Sequence, residues 1–465
     1  MAERRSRTGI EAGAAGPMSH RAWAGWPIVS LLLGGLLLAP RIVAAEPPDL
    51  GAVAGEPVDE ALLARDASLD HVTRFALQNN PAIRAAEQAW RAARERITRR
   101  SSYENPLVAF SPDTGATPET RAGPQGNGLE VSQKIPFPGK LTLRGRIASS
   151  LADATLERLN GATQEIAREA RARYADYFLA LRSLAINDET TALALEFADI
   201  ASAKYRVGNA AQQDVILSQE RISRLAAERV EFEGDHESAR GALNTLLDRD
   251  PRAPLGPPSD LSAEPLSVPL AALLAAAVRE RPELRSQDRR VEARDRSVRL
   301  ARMGYLPDFQ LGAQYVAVDD GTNPVFRRDG NDIVTVKLGL SIPLWFNRVR
   351  AEVSEARAQL AEERARRRDL ANRVNDEIQK SYERVRAAAR TERIYHTTLI
   401  PQTEERIAAA RAGYQTGRVD FLTLIDSLDS LEEVQLQRDR AVRDYHRGIA
   451  DLERAVGAPL RALAP

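Results

Sequence analysis

The chain has 465 residues, enough for two or three ordinary domains. Its 65 basic and 65 acidic residues cancel, so no net charge points to nucleic acid as a partner. The sequence contains no cysteine, which excludes disulfides, thiolate catalysis and cysteine-based metal sites. Gly- and Pro-rich breaks are few, which favours long continuous elements over several small domains.

The N-terminal segment has the pattern of an export signal. The apolar run Ile28–Leu38 follows the basic Arg21 and precedes a small-residue stretch that ends at Ala45. The run is too short for a helix that crosses a bilayer, which needs ~20 residues. The order therefore predicts a signal peptide, 1–45, cleaved after Ala45. Met18 is an alternative start, and an uncleaved N-terminal anchor is the alternative interpretation.

Most of the remaining chain reads as one unit present twice. The segment Leu69–Gly241 is echoed by Leu270–Gly448, and Ser132–Pro136 corresponds to Gly339–Pro343. A duplication explains this repeated order better than chance does. The predicted organisation is an N-terminal tail at 46–67, a first structural repeat at 68–248, a Pro-rich linker at 249–269, a second structural repeat at 270–457 and a C-terminal tail at 458–465.

Each half predicts the same elements in the same order. A short helix stops before Pro81 in the first half and before Pro282 in the second, because the residue before a proline disfavours the helical region. A second helix then runs to about Arg100 and to about Met303. After these points the periodicity changes from 3.6 to 2, which indicates strands.

Two strand pairs follow, one in each half. The clearest alternation runs from Ile333 to Leu344, with Phe309–Tyr315 as its partner; Leu129–Phe137 and Tyr103–Ser111 form the equivalent pair. One face is apolar and the other small or polar, and the lengths suit a tilted transmembrane strand of ~9–11 residues. An ordinary antiparallel sheet on a soluble core is the alternative.

Each strand pair is joined by a polar loop and followed by a very long helix. The loops are Asp113–Gly128 and Asp319–Asp332, and the helical stretches are Leu141–Tyr205 and Arg350–Tyr414. Some sixty residues at 1.5 Å each give a helix of roughly 90 Å. Glycines in two Tyr-x-x-Gly turns then reverse the chain, so each half predicts a long helical hairpin. A coiled-coil scaffold would explain the hairpins but not the strands.

With these features the chain resembles the outer-membrane efflux protein family, the TolC-like exit ducts. The resemblance covers 69–457 and is carried by the duplication, the Asn80-Pro81 step, the Ser132–Lys140 stretch and the two Tyr-x-x-Gly turns. It implies a mainly α fold with a small β part. Long helical hairpins would form a periplasmic α-barrel, and four strands per chain would form a twelve-stranded transmembrane β-barrel completed by trimerisation.

The implied function is the outer-membrane channel of a tripartite efflux system, which passively conducts substrates outwards. The implied partners are two further copies of the chain, a periplasmic adaptor, an inner-membrane pump of the RND type and outer-membrane lipid, without nucleic acid or cofactor. The Pro136–Lys140 stretch looks like the metal-cation efflux branch, so the expected substrates are metal cations or drugs. A type I secretion duct and a periplasmic coiled-coil adaptor are the alternatives. Enzyme motifs are absent, and the isolated histidines predict no metal site.

The resemblance also implies a periplasmic gate at the hairpin tips. Family members link a tyrosine three residues before the second-repeat glycine to an aspartate six residues after the first, here Tyr414 and Asp214. An acidic ring position falls on Asp426, but its companion is Thr423, and an arginine position falls on Val419. The predicted tip residues are Tyr205, Gly208, Asp214, Tyr414, Gly417, Arg418 and Asp426.

Overall fold

The computed structural model describes three stretches of the chain: residues 58–112, 125–318 and 332–463. The predicted signal peptide, 1–45, lies outside the described residues, as do 113–124 and 319–331, which make up most of the two predicted loops.

The elements follow the same order in both halves of the chain. The first half contains α1 Glu60–Leu63, α2 Leu69–Asn79, α3 Pro81–Ser101, β1 Leu107–Ser111, β2 Gln125–Ile135, α4 Lys140–Arg206 and α5 Gln212–Leu246. The second half contains α6 Leu270–Glu280, α7 Pro282–Arg302, β3 Asp308–Val318, β4 Ile333–Ser341, α8 Phe346–Ile394, α9 Ile400–Gln415 and α10 Phe421–Val456. A π-helical segment, Tyr395–Leu399, joins α8 to α9.

The short helices end where the prolines require it. Pro81 and Pro282 are the first residues of α3 and α7, positions where a missing N–H removes no hydrogen bond and the fixed φ suits a helix. The side chain of Asn80 caps α3 by accepting a hydrogen bond from Ala82 N at 2.9 Å, and it donates another to Leu246 O at 2.8 Å. The predicted ends of the two short helices are therefore confirmed, and Asn80 also ties this corner to the end of α5.

The first long helix, α4, is a single element of 67 residues, about 100 Å at 1.5 Å per residue. Its counterpart differs from the prediction because the Tyr395–Leu399 turn divides it. Pro401 is the second residue of α9, and a proline ring clashes with the carbonyl one turn earlier in a regular helix. The wider π turn accommodates that ring. Within the described stretches, no helix is both long and apolar enough to cross a membrane.

The four strands form one antiparallel sheet in the order β1-β2-β3-β4. The first and last strands are shorter than predicted, since Pro106 precedes β1 and Pro343 follows β4, and proline cannot donate to a strand ladder. The register places Val131 beside Ala313 and Ala313 beside Val336. The predicted alternation of apolar and polar residues therefore continues across the whole sheet.

The two faces of the sheet differ sharply. One, which we call the apolar face, is aliphatic or aromatic apart from Gln133; it comprises Val108, Phe110, Leu129, Val131, Ile135, Phe309, Leu311, Ala313, Tyr315, Val334, Val336, Leu338 and Leu340. The opposite face, which we call the polar face, includes all the charged side chains of the sheet and some apolar ones; it comprises Glu130, Ser132, Lys134, Asp308, Gln310, Gly312, Gln314, Thr335, Lys337, Gly339 and Ser341 together with Leu107, Ala109, Val316 and Ile333. On the apolar face, Val336 is 62% and Leu338 75% exposed. This face therefore does not pack on a core within the described chain.

The helices bury two main cores, one for each repeat. The first includes Leu63, Ala67 and Tyr174, and Gly256 N donates to Leu63 O at 2.9 Å. The predicted N-terminal tail is thus ordered over 58–67, where it packs with part of the linker. Burying Leu63 and Ala67 removes apolar surface from water, which stabilises this arrangement.

An ionic cluster joins the two repeats near the second core. Arg454 of α10 donates to Glu165 of α4 at 3.0 Å and also binds Glu283 of α7. Arg281 donates to Glu283 at 2.7 Å. Although burial alone would raise it, the pKa of the Glu283 carboxyl is lowered to about 2 by its bonds to these arginines.

Candidate functional site: the tips of the helical hairpins

Both hairpins reverse through the same glycine-centred turn. Gly208 has φ 75° and Gly417 has φ 74°, left-handed values that only glycine adopts without strain. In the first turn Asn209 N donates to Lys204 O at 2.8 Å, and in the second Arg418 N donates to Gly413 O at 2.8 Å. These bonds satisfy carbonyls that a helix end would otherwise leave unpaired.

A hydrogen bond joins the two tips of one chain. Tyr414 Oη donates to Asp214 Oδ2 at 2.9 Å, while the ammonium of Lys204 lies 4.4 Å from the centre of the tyrosine ring and also donates to Tyr414 O. Burial, together with the bond to Asp214, raises the pKa of the Tyr414 hydroxyl. The hydroxyl therefore stays protonated and remains a donor at physiological pH.

Apolar packing from four helices supports this link. Phe197 of α4, Leu225 of α5, Tyr414 of α9 and Phe421 of α10 belong to one buried cluster. The ring centres of Tyr414 and Phe421 are 5.2 Å apart with an edge-on geometry, which is favourable for aromatic pairs. The cluster holds the tyrosine in place, so the hydroxyl reaches Asp214 from a fixed position.

A family comparison now agrees with this duplicated architecture. The profile described as "Outer membrane efflux protein" matches residues 73–249 and 273–458, most of the chain. The chain belongs to the outer membrane efflux protein family. As a member of a family of efflux channels it is not an enzyme.

Solved structures show the same fold at low sequence identity. The outer-membrane channel OprN is 20% identical, with a TM-score of 0.70 over 91% of this chain and 98% of its own. The outer membrane protein VceC from Vibrio cholerae is 18% identical, with a TM-score of 0.69 over 84% and 96%. CusC, whose structures concern conformational changes during folding and transmembrane channel formation, is 16% identical, with a TM-score of 0.71 over 90% of this chain and 99% of its own. No curated protein sequence gives a significant match.

The structure brings only some of the predicted tip residues together. Tyr414 and Asp214 are bonded, whereas Tyr205, the counterpart of Tyr414 in the first repeat, is 46% exposed against 3% for Tyr414. Arg418 and Asp426 are exposed, and Asp426 is engaged through its backbone carbonyl, which accepts from the Arg406 guanidinium at 2.8 Å. The equivalent tyrosines of the two repeats therefore have different surroundings at the tips.

The two departures from the family pattern have local structural roles. Thr423 donates from its backbone N, at 2.9 Å, and from its hydroxyl to Asp420 Oδ1, which caps α10. Val419 packs over Gly413, where an added Cβ would come within 2.6 Å of Val419 Cγ2. Both positions therefore help to shape the second turn.

Sequence reasoning missed three residues that organise the tips. Lys204 and Phe421 both contact Tyr414. Arg221 of α5 is buried and reaches α10, where its Nε lies 2.6 Å from Asp429 Oδ1 and its guanidinium also binds Glu432. Nothing in the local sequence distinguishes this buried arginine from the many charged residues on helix surfaces. Lys204 could have been noticed because it directly precedes the first Tyr-x-x-Gly turn.

The outer surface of the tips carries exposed apolar side chains. Val207 beside the first glycine, Ile216 on α5 and Leu422 on α10 are all exposed. Among the described residues, no group of three or more His, Cys, Asp or Glu side chains could hold a metal ion. Both tips therefore carry apolar side chains that the rest of the described chain leaves uncovered.

Proposed function

We propose that this chain is one subunit of a homotrimeric exit duct in the outer membrane, through which an inner-membrane pump and a periplasmic adaptor empty their substrates outside the cell. The proposal rests above all on one observation: the apolar face of the sheet is exposed. Val336 and Leu338 lie on it at 62% and 75% exposure. Such a face is costly in water but suits the hydrocarbon of a bilayer.

The apolar surface continues past the end of β4. Ile342, Leu344, Trp345 and Phe346 are all exposed, and the Phe346 ring stacks on Tyr305 with centres 6.3 Å apart. Tryptophan and tyrosine favour the boundary between hydrocarbon and headgroups. This aromatic group lies where the sheet joins the long helices, and we assign it to the periplasmic membrane surface.

The sheet edges support assembly from several copies. In the described part of the chain, β1 and β4 are the edges and each pairs with only one neighbour. Backbone groups in lipid must all be hydrogen-bonded. We propose that β4 of one copy pairs with β1 of the next, so that three copies close the sheet around a pore and their long helices continue it through the periplasm.

The tips would lie at the end of this duct opposite the sheet. Val207, Ile216 and Leu422 would provide the apolar contacts for the adaptor, while the Tyr414–Asp214 bond would hold the opening closed. We propose metal cations or drugs as substrates and a pump of the RND type. The segment 1–45 would be removed on export, and the tail, repeats and linker would follow the boundaries predicted from the sequence.

Tryptophan fluorescence tests the membrane assignment. Trp23 and Trp26 lie in the predicted signal peptide, so the mature chain would retain Trp90, which is 4% exposed, and Trp345, which is 74% exposed. In vesicles that contain brominated lipids, a Trp90→Phe variant should show strong quenching of Trp345. The matched Trp345→Phe variant should show little, because Trp90 is shielded by the helices.

Conductance and assembly complete the test. The purified protein should run as a heat-sensitive trimer and form pores in planar bilayers. A monomer that stays in solution without detergent, shows no quenching at Trp345 and forms no pores would refute the proposal.

A further inference from the structure

The charged side chains of the sheet are confined to one face. Across the four strands, the charged residues are Glu130, Lys134, Asp308 and Lys337, and the register places all of them on the polar face. If the apolar face meets lipid, as the proposed function requires, these four side chains line the pore. Their net charge then contributes to the field that a permeating ion meets.

One ion pair crosses the middle of this face. Lys337 Nζ of β4 donates to Glu130 Oε2 of β2 at 3.1 Å. These strands are not neighbours, since β3 lies between them. Gly312 of β3 is directly opposite Lys337 in the register and has no side chain to stand in the way. A large residue at Gly312 would occupy the space that the lysine crosses.

The remaining charges show why this pair matters. Asp308 is already bound by Lys140 of α4, whose Nζ donates to Asp308 Oδ1 at 2.8 Å. Lys134 is exposed and forms no ion pair within the described part of the chain. Once Lys140 is counted with Asp308, the described residues of each polar face carry one lysine more than carboxylates, while Glu130 neutralises Lys337. Removing the Glu130 charge would leave two per chain.

We propose that the Lys337–Glu130 pair balances charge on the pore-facing side of the sheet and thereby determines how the outer end of the duct selects between small anions and cations. Threefold repetition concentrates the effect, because each substitution changes three charges around one axis. The pair itself is half exposed, and exposed ion pairs contribute little to stability. Its substitution should thus alter permeation without preventing folding.

Reversal potentials in planar bilayers test this inference. With KCl at ~0.1 M on the dilute side, where the Debye length is ~10 Å, Glu130→Gln should raise the chloride-to-potassium permeability ratio about threefold, and Lys337→Met should lower it by about the same factor. A swapped pair, Glu130→Lys with Lys337→Glu, keeps the net charge and should match the wild type.

The outcomes separate this inference from the proposed function on which it rests. Conducting pores whose reversal potential is unchanged in both single variants would overturn the charge-balancing role. A swapped pair that behaves like either single variant would also overturn it, since net charge would not be the determinant. Failure of the wild type to conduct at all would instead refute the exit duct itself.

Discussion

Removing the hydroxyl of Tyr414 isolates the bond between the two tips. Tyr414→Phe keeps the ring that packs on Phe421 and lies beside the Lys204 ammonium, but it deletes the 2.9 Å bond to Asp214. A hydrogen bond to a charged group contributes ~1.5–3 kcal/mol. Asp214 is half-buried, so water replaces part of the bond and the lower value applies.

The loss of about 1.5 kcal/mol corresponds to a roughly tenfold rise in the ratio of open to closed tips in each chain. If the three tips of a trimer open together, the contributions add to about 4.5 kcal/mol. Single-channel recordings should therefore show longer and more frequent openings in the variant, with unchanged reversal potential because no charge is removed.

The repeat supplies a matched control for this experiment. Tyr205→Phe removes the equivalent hydroxyl in the first repeat, where the side chain is exposed and donates no hydrogen bond that the described part of the chain accepts. Its openings should match those of the wild type. If Tyr414→Phe opens no more often than Tyr205→Phe, the bond to Asp214 does not hold the tips closed.

Three further predictions concern stability, each measured by thermal or denaturant unfolding of the detergent-solubilised protein. The pKa of Glu283 in the folded protein is about 2, below its ordinary value, so its contribution to the free energy of unfolding is present above about pH 4.5 and is lost as the pH falls towards 2. After discounting for exposure, about 2 kcal/mol of this pH dependence should vanish in Glu283→Gln. An unchanged pH profile in the variant would contradict this prediction. Gly457→Ala should destabilise the protein far more than Gly208→Ala, although both glycines have positive φ. An added Cβ at Gly457 meets backbone atoms at 2.7 Å, whereas at Gly208 it meets nothing within 4 Å. The backbone strain that both variants share costs ~1–2 kcal/mol, so equal losses of stability would rule out the steric argument. Arg221→Met should lower the free energy of unfolding by about 3 kcal/mol, because it leaves Glu432 buried and unpaired. Adding Glu432→Gln should recover much of that loss. If the double variant shows no recovery, the arginine acts mainly through packing.

Local rules account for most of the secondary structure. Prolines ended α2 and α6 where the sequence predicted, and the period-2 alternation identified all four strands. Two differences from the prediction arise from single prolines, whose local effects the predicted helix and strand did not include, and a third arises from long-range packing. The π turn at Tyr395–Leu399 and the shortened β1 reflect single prolines, while the packing of 58–67 depends on partners far along the chain.

The tips show the same limit. The Tyr-x-x-Gly pattern and the family resemblance pointed to Tyr414 and Asp214, which lie in different repeats and are bonded in the structure. They could not show that Tyr414 is buried while Tyr205 is exposed, or that Lys204 lies against the ring. Equivalent positions in a duplicated sequence look alike, because only the packing of the two hairpins decides which of these two tyrosines is buried.

The sequence by itself determined the repeat, the helical hairpins and the two-faced strands, because these follow from periodicity, helix breakers and residue order, and its motifs carried the family resemblance. The tertiary structure decided which side chains meet: the Tyr414–Asp214 link, the Arg454 cluster and the Lys337–Glu130 pair each join residues more than a hundred positions apart. Contacts of that kind depend on how long elements pack in register, and a local pattern in one element does not specify the side chain that will lie opposite in another.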